Sequence, residues 1–597
     1  MTALEADDVV WDLSDLLHGA DDESAVLDLL DQAATLADEL ASKRGQLASW
    51  DAGELADFMA RQADLADLLG RAGSWAQLRF STDVNDPTRG ALVQKLSERA
   101  TAIQTKLLWF DLEWAALEDE QVEALLADDR LAFVAHHLRS ERRYRQHLLS
   151  EPEETILTEK SVTGWGAWSR LFNELTSTIE VVLDGETTTL EAGLSRLASP
   201  SPEVRAEAAA AVTEALRPGL RTRAYIFNTL LHDKAIDDRL RGYPTWISSR
   251  NLSNEATDDS VQALVDAVQR RNDLPQRWYR LKAKVLGVDR LKDWDRMASL
   301  ATEDSRIGFG EAKDLVLDSY ASFSPEMADI ARRFFDERWI DAPARPGKRP
   351  GAFCAYTVPS VHPYVFLNWT SRRRDVLTLA HELGHGLHAY LAREQGVFHQ
   401  GTPLTLAETA SVFGETVTFG KLLEETTDPA ARLALLAENI EGAIATVFRQ
   451  TAMNRFEDSV HTARREEGEL SVDRIGELWA RSQEAMLGDA VEVTEGYRSW
   501  WSYVPHFIGT PGYVYAYAYG QLLALSVYKQ YEEQGSDFVP RYVHLLSAGG
   551  SMAPEELGKI VGCDLADPGF WDGGIDIIEQ QLDAAETAAF DAGRLTR

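Results

Sequence analysis

Cysteine is nearly missing from this chain: Cys354 and Cys563 are the two in 597 residues, far apart and in no CxxC pair. That excludes a disulfide framework and points to a reducing compartment. Basic charge is also short, with 60 Lys and Arg against 96 Asp and Glu and a formal net charge of -36. Such a chain repels a polyphosphate backbone. Its one obvious basic run, Arg372-Arg373-Arg374, is followed at once by Asp375 and reads as a solvated helix start. No nucleic-acid partner is expected. The first residues, Met1-Thr2-Ala3-Leu4-Glu5-Ala6-Asp7-Asp8, lack the basic start and apolar run of a secretory signal, so a cytoplasmic location is expected. Charge itself is absent from Ser499 to Tyr528, but Pro505, His506, Gly509, Pro511, Gly512 and a ladder of tyrosines interrupt that stretch. It suits a buried loop and helix lining a cavity, not a membrane span.

What is present is ordinary globular composition, 45% hydrophobic and 26% charged, in a chain about three to four times the length of a typical domain. More than one lobe is expected. The first half reads as successive helices. Apolar residues fall at helical spacing in 25–36 and again from Glu54 to Met59, with Asp21-Asp22-Glu23-Ser24 and Asp51-Ala52-Gly53-Glu54 as caps and acidic first turns. Thr178 to Leu183 and Glu186 to Leu190, joined by Asp184-Gly185, carry a hairpin signal. Ser199-Pro200-Ser201-Pro202 then breaks the chain, with Ser201 as cap and Pro202 as first residue of an Ala-rich helix. A boundary there divides an N-terminal helical domain with a β-hairpin, 1–200, from a catalytic domain, 201–597. Pro343 to Gly351 cannot be helical. The two segments after it, Ala352 to Val358 and Tyr364 to Trp369, are rich in aromatic and β-branched residues and read as strands of a small sheet. The second of them could offer an open edge to an extended peptide.

His381-Glu382-Leu383-Gly384-His385 is an HExxH motif. On a helix its histidines lie one turn apart on one face, spaced to share a metal ion, and Glu382 is placed to act as general base on a metal-bound water. Thr370 or Ser371 could cap this helix. Val376, Leu377, Leu379, Ala380, Leu383 and Leu387 surround it with apolar residues, so it is expected to be buried. Buried histidines and a glutamate are costly without partners, and a metal removes that cost. A catalytic zinc site needs a third protein ligand from elsewhere. Glu408 is the candidate, in a segment from Leu404 to Glu415 that reads as a buried helix with Glu408, Ser411 and Glu415 on one face. Glu415 is the rival, though two turns further on it is better placed to hydrogen-bond a ligating histidine. His388 does not complete the longer HExxHxxGxxH pattern, because it occupies the glycine position and Leu391 the third histidine position.

These residues carry a resemblance. Leu379 to His388, Ala407-Glu408-Thr409-Ala410-Ser411, and His506 followed by Tyr513-Val514-Tyr515-Ala516-Tyr517 resemble the thimet oligopeptidase (M3) family of zinc metallopeptidases, most closely its oligoendopeptidase F branch. The resemblance implies a mostly α, two-lobed helical fold with a deep central channel and a small β-sheet beside the HExxH helix. It also implies one zinc ion per chain, held by His381, His385 and Glu408, with Glu382 as base, and internal cleavage of short peptides. His506 and the tyrosines resemble the family's transition-state-binding segment, with Tyr513 and Tyr517 favoured over Tyr515. Independently, an oxyanion formed at a peptide carbonyl needs hydrogen-bond donors of this kind. Two rivals remain at this level. A related helical zinc carboxypeptidase would share the same metal residues and trim free C-termini. A non-catalytic interaction protein with structural zinc would need a closed four-ligand site.

Overall fold

The computed structural model describes residues 4–161, 163–300, 306–567 and 569–595. Helices dominate it, and the sheets are few and small. The helices referred to below are α1 (Glu23–Ala41), α2 (Ala52–Thr82), α3 (Pro202–Leu216), α4 (Leu220–Arg241), α5 (Phe309–Phe323), α6 (Pro325–Asp336), α7 (Arg373–Ala392), α8 (Leu404–Ala407), α9 (Thr409–Glu425), α10 (Gln450–Glu467), α11 (His506–Gly509) and α12 (Tyr515–Gln534). The main strands are β1 (Glu180–Leu183), β2 (Glu186–Thr189), β3 (Ile340–Pro343), β4 (Phe353–Ala355) and β5 (Tyr364–Trp369).

Local chemistry explains most of these limits. Asp22 accepts the Ala25 N–H at 3.0 Å and starts α1. Asp51 and Glu54 exchange hydrogen bonds across the first turn of α2, the reciprocal arrangement that satisfies orphan donors at a helix start. Ser201 accepts from Val204 with Pro202 as the first residue of α3. β1 and β2 pair antiparallel in register from Glu180–Thr189 to Leu183–Glu186, and the turn places Asp184 at φ 54° and Gly185 at φ 80°. Both central residues of that turn are left-handed, which matches the twist of the flanking strands.

One predicted cap is corrected. Neither Thr370 nor Ser371 caps α7, which begins at Arg373. Ser371 sits at φ 65°, outside the extended backbone a capping residue adopts. Asp375, inside the first turn, reaches back to accept from the N–H groups of Thr370 and Arg372 and from the Thr370 hydroxyl.

The chain folds into two compact units of interleaved segments. The first comprises Met1–Arg145, Asp304–Leu422 and Val527–Asp564, and the second Gln146–Glu303, Leu423–Ser526 and Leu565–Arg597. In the first unit, α1, α2 and the helix Leu108–Ala116 share an aromatic-rich core in which Phe58 of α2 stacks on Phe110 at 4.9 Å, and Phe110 on Trp114 at 6.4 Å. Burying each such side chain contributes roughly 1.5–3 kcal/mol. The same unit holds a three-stranded sheet of order β3-β5-β4, with β3 parallel and β4 antiparallel to β5. β5 is therefore the central strand. The expectation that Tyr364 to Trp369 offers an open edge is corrected: its ladder is paired on both sides, and β4 is the edge beside α7. The buried Lys348 ammonium braces the non-helical 343–351 loop on this sheet, donating to the carbonyls of Pro343 at 2.8 Å and Leu367 at 2.6 Å and pairing with Asp341 at 2.6 Å.

The second unit has its own core, in which α3, α4 and α10 contribute Val212, Phe227, Phe456 and Val460 against Trp479, Trp501 and Phe507. Phe227 stacks on Trp501 at 5.6 Å. Among the described residues, no helix is long and apolar enough to cross a membrane.

Candidate metal centre

α7 lies against β4, β5, α5 and α6. Val376, Leu379, Ala380, Leu383 and Leu387 are all fully buried on it, and Glu382 is 7% exposed. Three glycines let neighbouring groups come unusually close, backbone at Gly384 and side chains at Gly386 and Gly414. A Cβ on Gly384 would lie 2.5 Å from the Ala410 carbonyl oxygen and 2.6 Å from the Ser411 Cα. A Cβ on Gly386 would lie 2.5 Å from the Phe334 ring on α6, and one on Gly414 would overlap the Tyr320 hydroxyl. That hydroxyl donates to the Ala380 carbonyl at 2.8 Å. α7 and α9 are thus in contact through backbone at Gly384, one residue from His385.

This contact delivers the third donor. The predicted continuous helix from Leu404 to Glu415 is interrupted: α8 ends at Ala407, Glu408 follows as its C-cap, and α9 begins at Thr409. Leu404 is also exposed, not buried. Ser411 donates to Glu408 Oε2 at 2.7 Å and fixes its carboxylate. Glu408 Oε2 lies 3.3 Å from His381 Nε2 and 3.5 Å from His385 Nε2. The three residues form a group able to hold a metal ion, with donor atoms within 4.8 Å of one another. Bond lengths of about 2.0–2.2 Å around tetrahedral zinc require donors roughly 3.4 Å apart. The donor set therefore fits zinc in chemistry and in spacing.

Glu415 stands one step out. Its carboxylate lies 3.1 Å from His381 Nδ1. With the Nδ1 proton donated to Glu415, His381 presents its Nε2 lone pair toward Glu408 and His385. Burial lowers the proton affinity of His381, but hydrogen bonds to Glu408 and Glu415 outweigh it and hold the imidazole well above its usual range. For His385 burial wins, with His381 adding to it: the Glu408 charge and a backbone hydrogen bond at Ala407 oppose it, and the imidazole is pulled down to about 4. For Glu408, burial pushes upward and the two histidines win, leaving it at about 2. Glu382 goes the other way: burial, with the Glu408 charge adding to it, pushes its carboxyl to about 7, although it accepts a hydrogen bond from the Cys354 amide on β4.

Two neighbours give no signal in the sequence. Tyr356, just beyond β4, has its ring 6.5 Å from that of His385, and burial, with Cys354, Glu408 and Glu382 adding to it, keeps its phenol protonated. Tyr320 supports Ala380 from α5. His388 is buried outside the donor set, and burial pushes its imidazole down to about 3.

The remaining candidates belong to the second unit. His506 opens α11, and its Nε2 lies 3.3 Å from the Tyr517 hydroxyl on α12. The Tyr513 ring lies parallel to His506 at 6.0 Å and edge-on to Tyr517 at 4.9 Å. All three are partly exposed. Tyr515 differs: it is fully buried, and its hydroxyl accepts from Asn254 Nδ2 at 2.9 Å. Tyr519 is likewise buried, edge-on to Trp571 at 4.6 Å. The alternation of the ladder thus separates two packing tyrosines from two that reach the surface with His506.

Comparison with known proteins identifies the family. Peptidase family M3 matches residues 196–577, more than half of the chain, and Oligopeptidase F matches residues 113–180. Oligopeptidase PepF of Bacillus subtilis is 27% identical over 557 residues, covering 92% of this chain and 82% of that protein. Group B oligopeptidase PepB of Streptococcus agalactiae is 27% identical over 535 residues, covering 87% and 88%. The crystal structure of oligoendopeptidase-F from Enterococcus faecium superposes with a TM-score of 0.72 at 21% identity, covering 95% of this chain and 99% of that one, a likeness of fold. The chain belongs to peptidase family M3, in its oligoendopeptidase F branch.

Proposed function

We propose that this peptidase is a zinc-dependent endopeptidase that hydrolyses internal bonds of short oligopeptides. The observation that carries the reading is the meeting of His381 Nε2, His385 Nε2 and Glu408 Oε2 at zinc-like spacing beside the buried carboxyl of Glu382. The names of the relatives, oligopeptidases and oligoendopeptidases, support the substrate class.

Zinc bound there supplies Lewis acidity toward water and the scissile carbonyl. Glu382 takes the proton of the attacking water and returns it to the leaving amine. Burial raises the proton affinity of its carboxyl, which suits a group that takes up a proton and passes it on. Glu415 orients His381. His506, Tyr513 and Tyr517 supply N–H and O–H donors of the kind a developing oxyanion takes up. Along the sequence, a helical segment with a hairpin, 1–200, followed by a catalytic segment, 201–597, is part of the same reading, although the compact units of the fold interleave across that boundary. The two family matches, at 113–180 and 196–577, support it. The structural-zinc alternative needs four ligands, and among the described residues the group holds three.

The test is Glu382→Gln. It keeps the three donors and removes the base, so zinc content stays at that of the wild type while kcat on an internally quenched peptide falls about 10²–10⁴-fold. Normal turnover in that variant overturns the assignment. Product masses separate the modes of cutting: internal fragments support an endopeptidase, and one-residue trimming from the C-terminus supports a carboxypeptidase.

A further inference from the structure

The buried face of α10 is unexpectedly polar. α10 follows a π-helical turn, Ile444–Arg449, and carries Asn454, Glu457 and His461, each no more than 2% exposed, at the three- and four-residue spacing of one helix face. Glu457 Oε1 accepts the N–H of Gly512 at 2.9 Å, while its Oε2 is buried with no hydrogen-bond partner among the described residues. A carboxyl so placed is costly, and an apolar side chain would pack there more cheaply.

The segment it touches is the one joining His506 to Tyr517. Gly512 has φ 75°, and a Cβ there would lie 3.3 Å from the Arg250 Cβ and 3.4 Å from the Trp246 ring. Arg250 Nε donates to the Pro511 carbonyl at 3.3 Å. Trp246 stacks on His461 at 4.5 Å and donates its indole N–H to Asp458 at 2.8 Å. Asn254 holds the Tyr515 hydroxyl. The backbone on either side of Tyr513 is therefore gripped at Pro511, Gly512 and Tyr515, and Glu457 makes the grip on Gly512 from beneath. Tyr513 stays partly exposed between these fixed points, parallel to His506.

We infer that Glu457 is a positioning residue, which through the amide of Gly512 fixes the loop that sets Tyr513 against His506 and Tyr517. The inference rests on the reading that these three side chains serve the reaction. Glu457 takes no part in bond making. Burial keeps its carboxyl protonated, with a pKa pushed up to about 8 against the influence of the Gly512 amide and Arg250. A glutamine therefore reproduces both its shape and its acceptor.

The experiment compares E457M, E457Q, Y513F and the double variant E457M/Y513F in the full chain, reading kcat and KM on a quenched peptide, thermal midpoint and zinc content. E457M removes the acceptor at similar volume. It is expected to lower kcat about 10–100-fold with KM changed less than about threefold and zinc content unchanged, the pattern of an interaction made only in the transition state. E457Q is expected to stay within about threefold of wild type. Y513F in the E457M background is expected to cost much less than Y513F alone, because the misplaced hydroxyl is already lost. Wild-type kcat in folded E457M, or equal losses in E457Q and E457M, overturns the inference. Undiminished kcat in Y513F instead sinks the role given to Tyr513. Should E457M fail to fold, Gly512→Ala displaces the same loop from the side of Trp246 and Arg250, and a folded variant with wild-type kcat overturns the inference equally.

Discussion

Gly384→Ala tests the claim that backbone contact between α7 and α9 builds the metal centre. The added methyl would lie 2.5 Å from the Ala410 carbonyl oxygen and 2.6 Å from the Ser411 Cα. An ordinary contact begins near 3.4 Å, so the helices must part by about 0.9 Å, because backbone cannot swing aside as a side-chain tip can. Ser411 carries Glu408 with it through their 2.7 Å hydrogen bond, and the separations of 3.3 Å and 3.5 Å from the histidines widen. Zinc sites tolerate errors of only about 0.2 Å in bond length. Binding zinc then restores the strain that parting had relieved. Overpacking of this kind costs about 1–3 kcal/mol, which converts to a roughly 5- to 150-fold weaker Kd. The assay is zinc competition against a chromogenic chelator, with circular dichroism to show that the helices persist. Gly386→Ala is the control: it presses on the Phe334 ring, a side chain that can yield, and should lower stability with a smaller effect on zinc. Wild-type zinc affinity in Gly384→Ala would refute the reasoning.

Glu415→Ala removes the acceptor at His381 Nδ1, and zinc affinity should fall about 10–100-fold in the same competition assay while helix content is kept. Glu457 supplies a pH test of stability. Its folded pKa of about 8 lies above the ordinary glutamate value of 4.5, so between those values the folded state holds a proton that the unfolded chain has released. Stability therefore falls as pH rises through that window, by on the order of 3–5 kcal/mol in total. Glu457→Gln should flatten the fall, so its denaturant midpoint gains on wild type from pH 5 toward pH 8, and parallel profiles would count against a buried protonated carboxyl. Removing zinc with a chelator should abolish peptide cleavage and lower the thermal midpoint, since a ligand that binds only the folded state stabilises it in proportion to log concentration. Cleavage at full rate without metal would contradict the proposed chemistry.

The sequence by itself determined whatever is local and periodic. HExxH places His381 and His385 on one face because the helix repeat puts i and i+4 together. The hairpin at Asp184-Gly185 follows from residues that tolerate left-handed backbone, and the starts of α1, α2 and α3 follow from Asp22, Asp51 and Ser201. Glu408 was legible as a candidate donor, since a catalytic zinc needs a third ligand. Only the tertiary structure decided the rest. The order β3-β5-β4 makes Tyr364 to Trp369 a central strand, because the parallel pairing of Ile340–Pro343 with it leaves no mark in the sequence of either strand. The break between α8 and α9 at Glu408 is likewise invisible, because no Pro or Gly stands at it. Gly384 reads as an unremarkable position inside HExxH until Ala410 and Ser411 are seen against it. The tyrosine ladder was ambiguous for the same reason: a regular alternation cannot say which side faces the core, and burial of Tyr515 against Asn254 answers that by packing. Nothing in the sequence around Glu457 sets it apart from other helix glutamates. What makes it otherwise is the amide of Gly512, brought to it across 55 residues of sequence by the folding of the second unit.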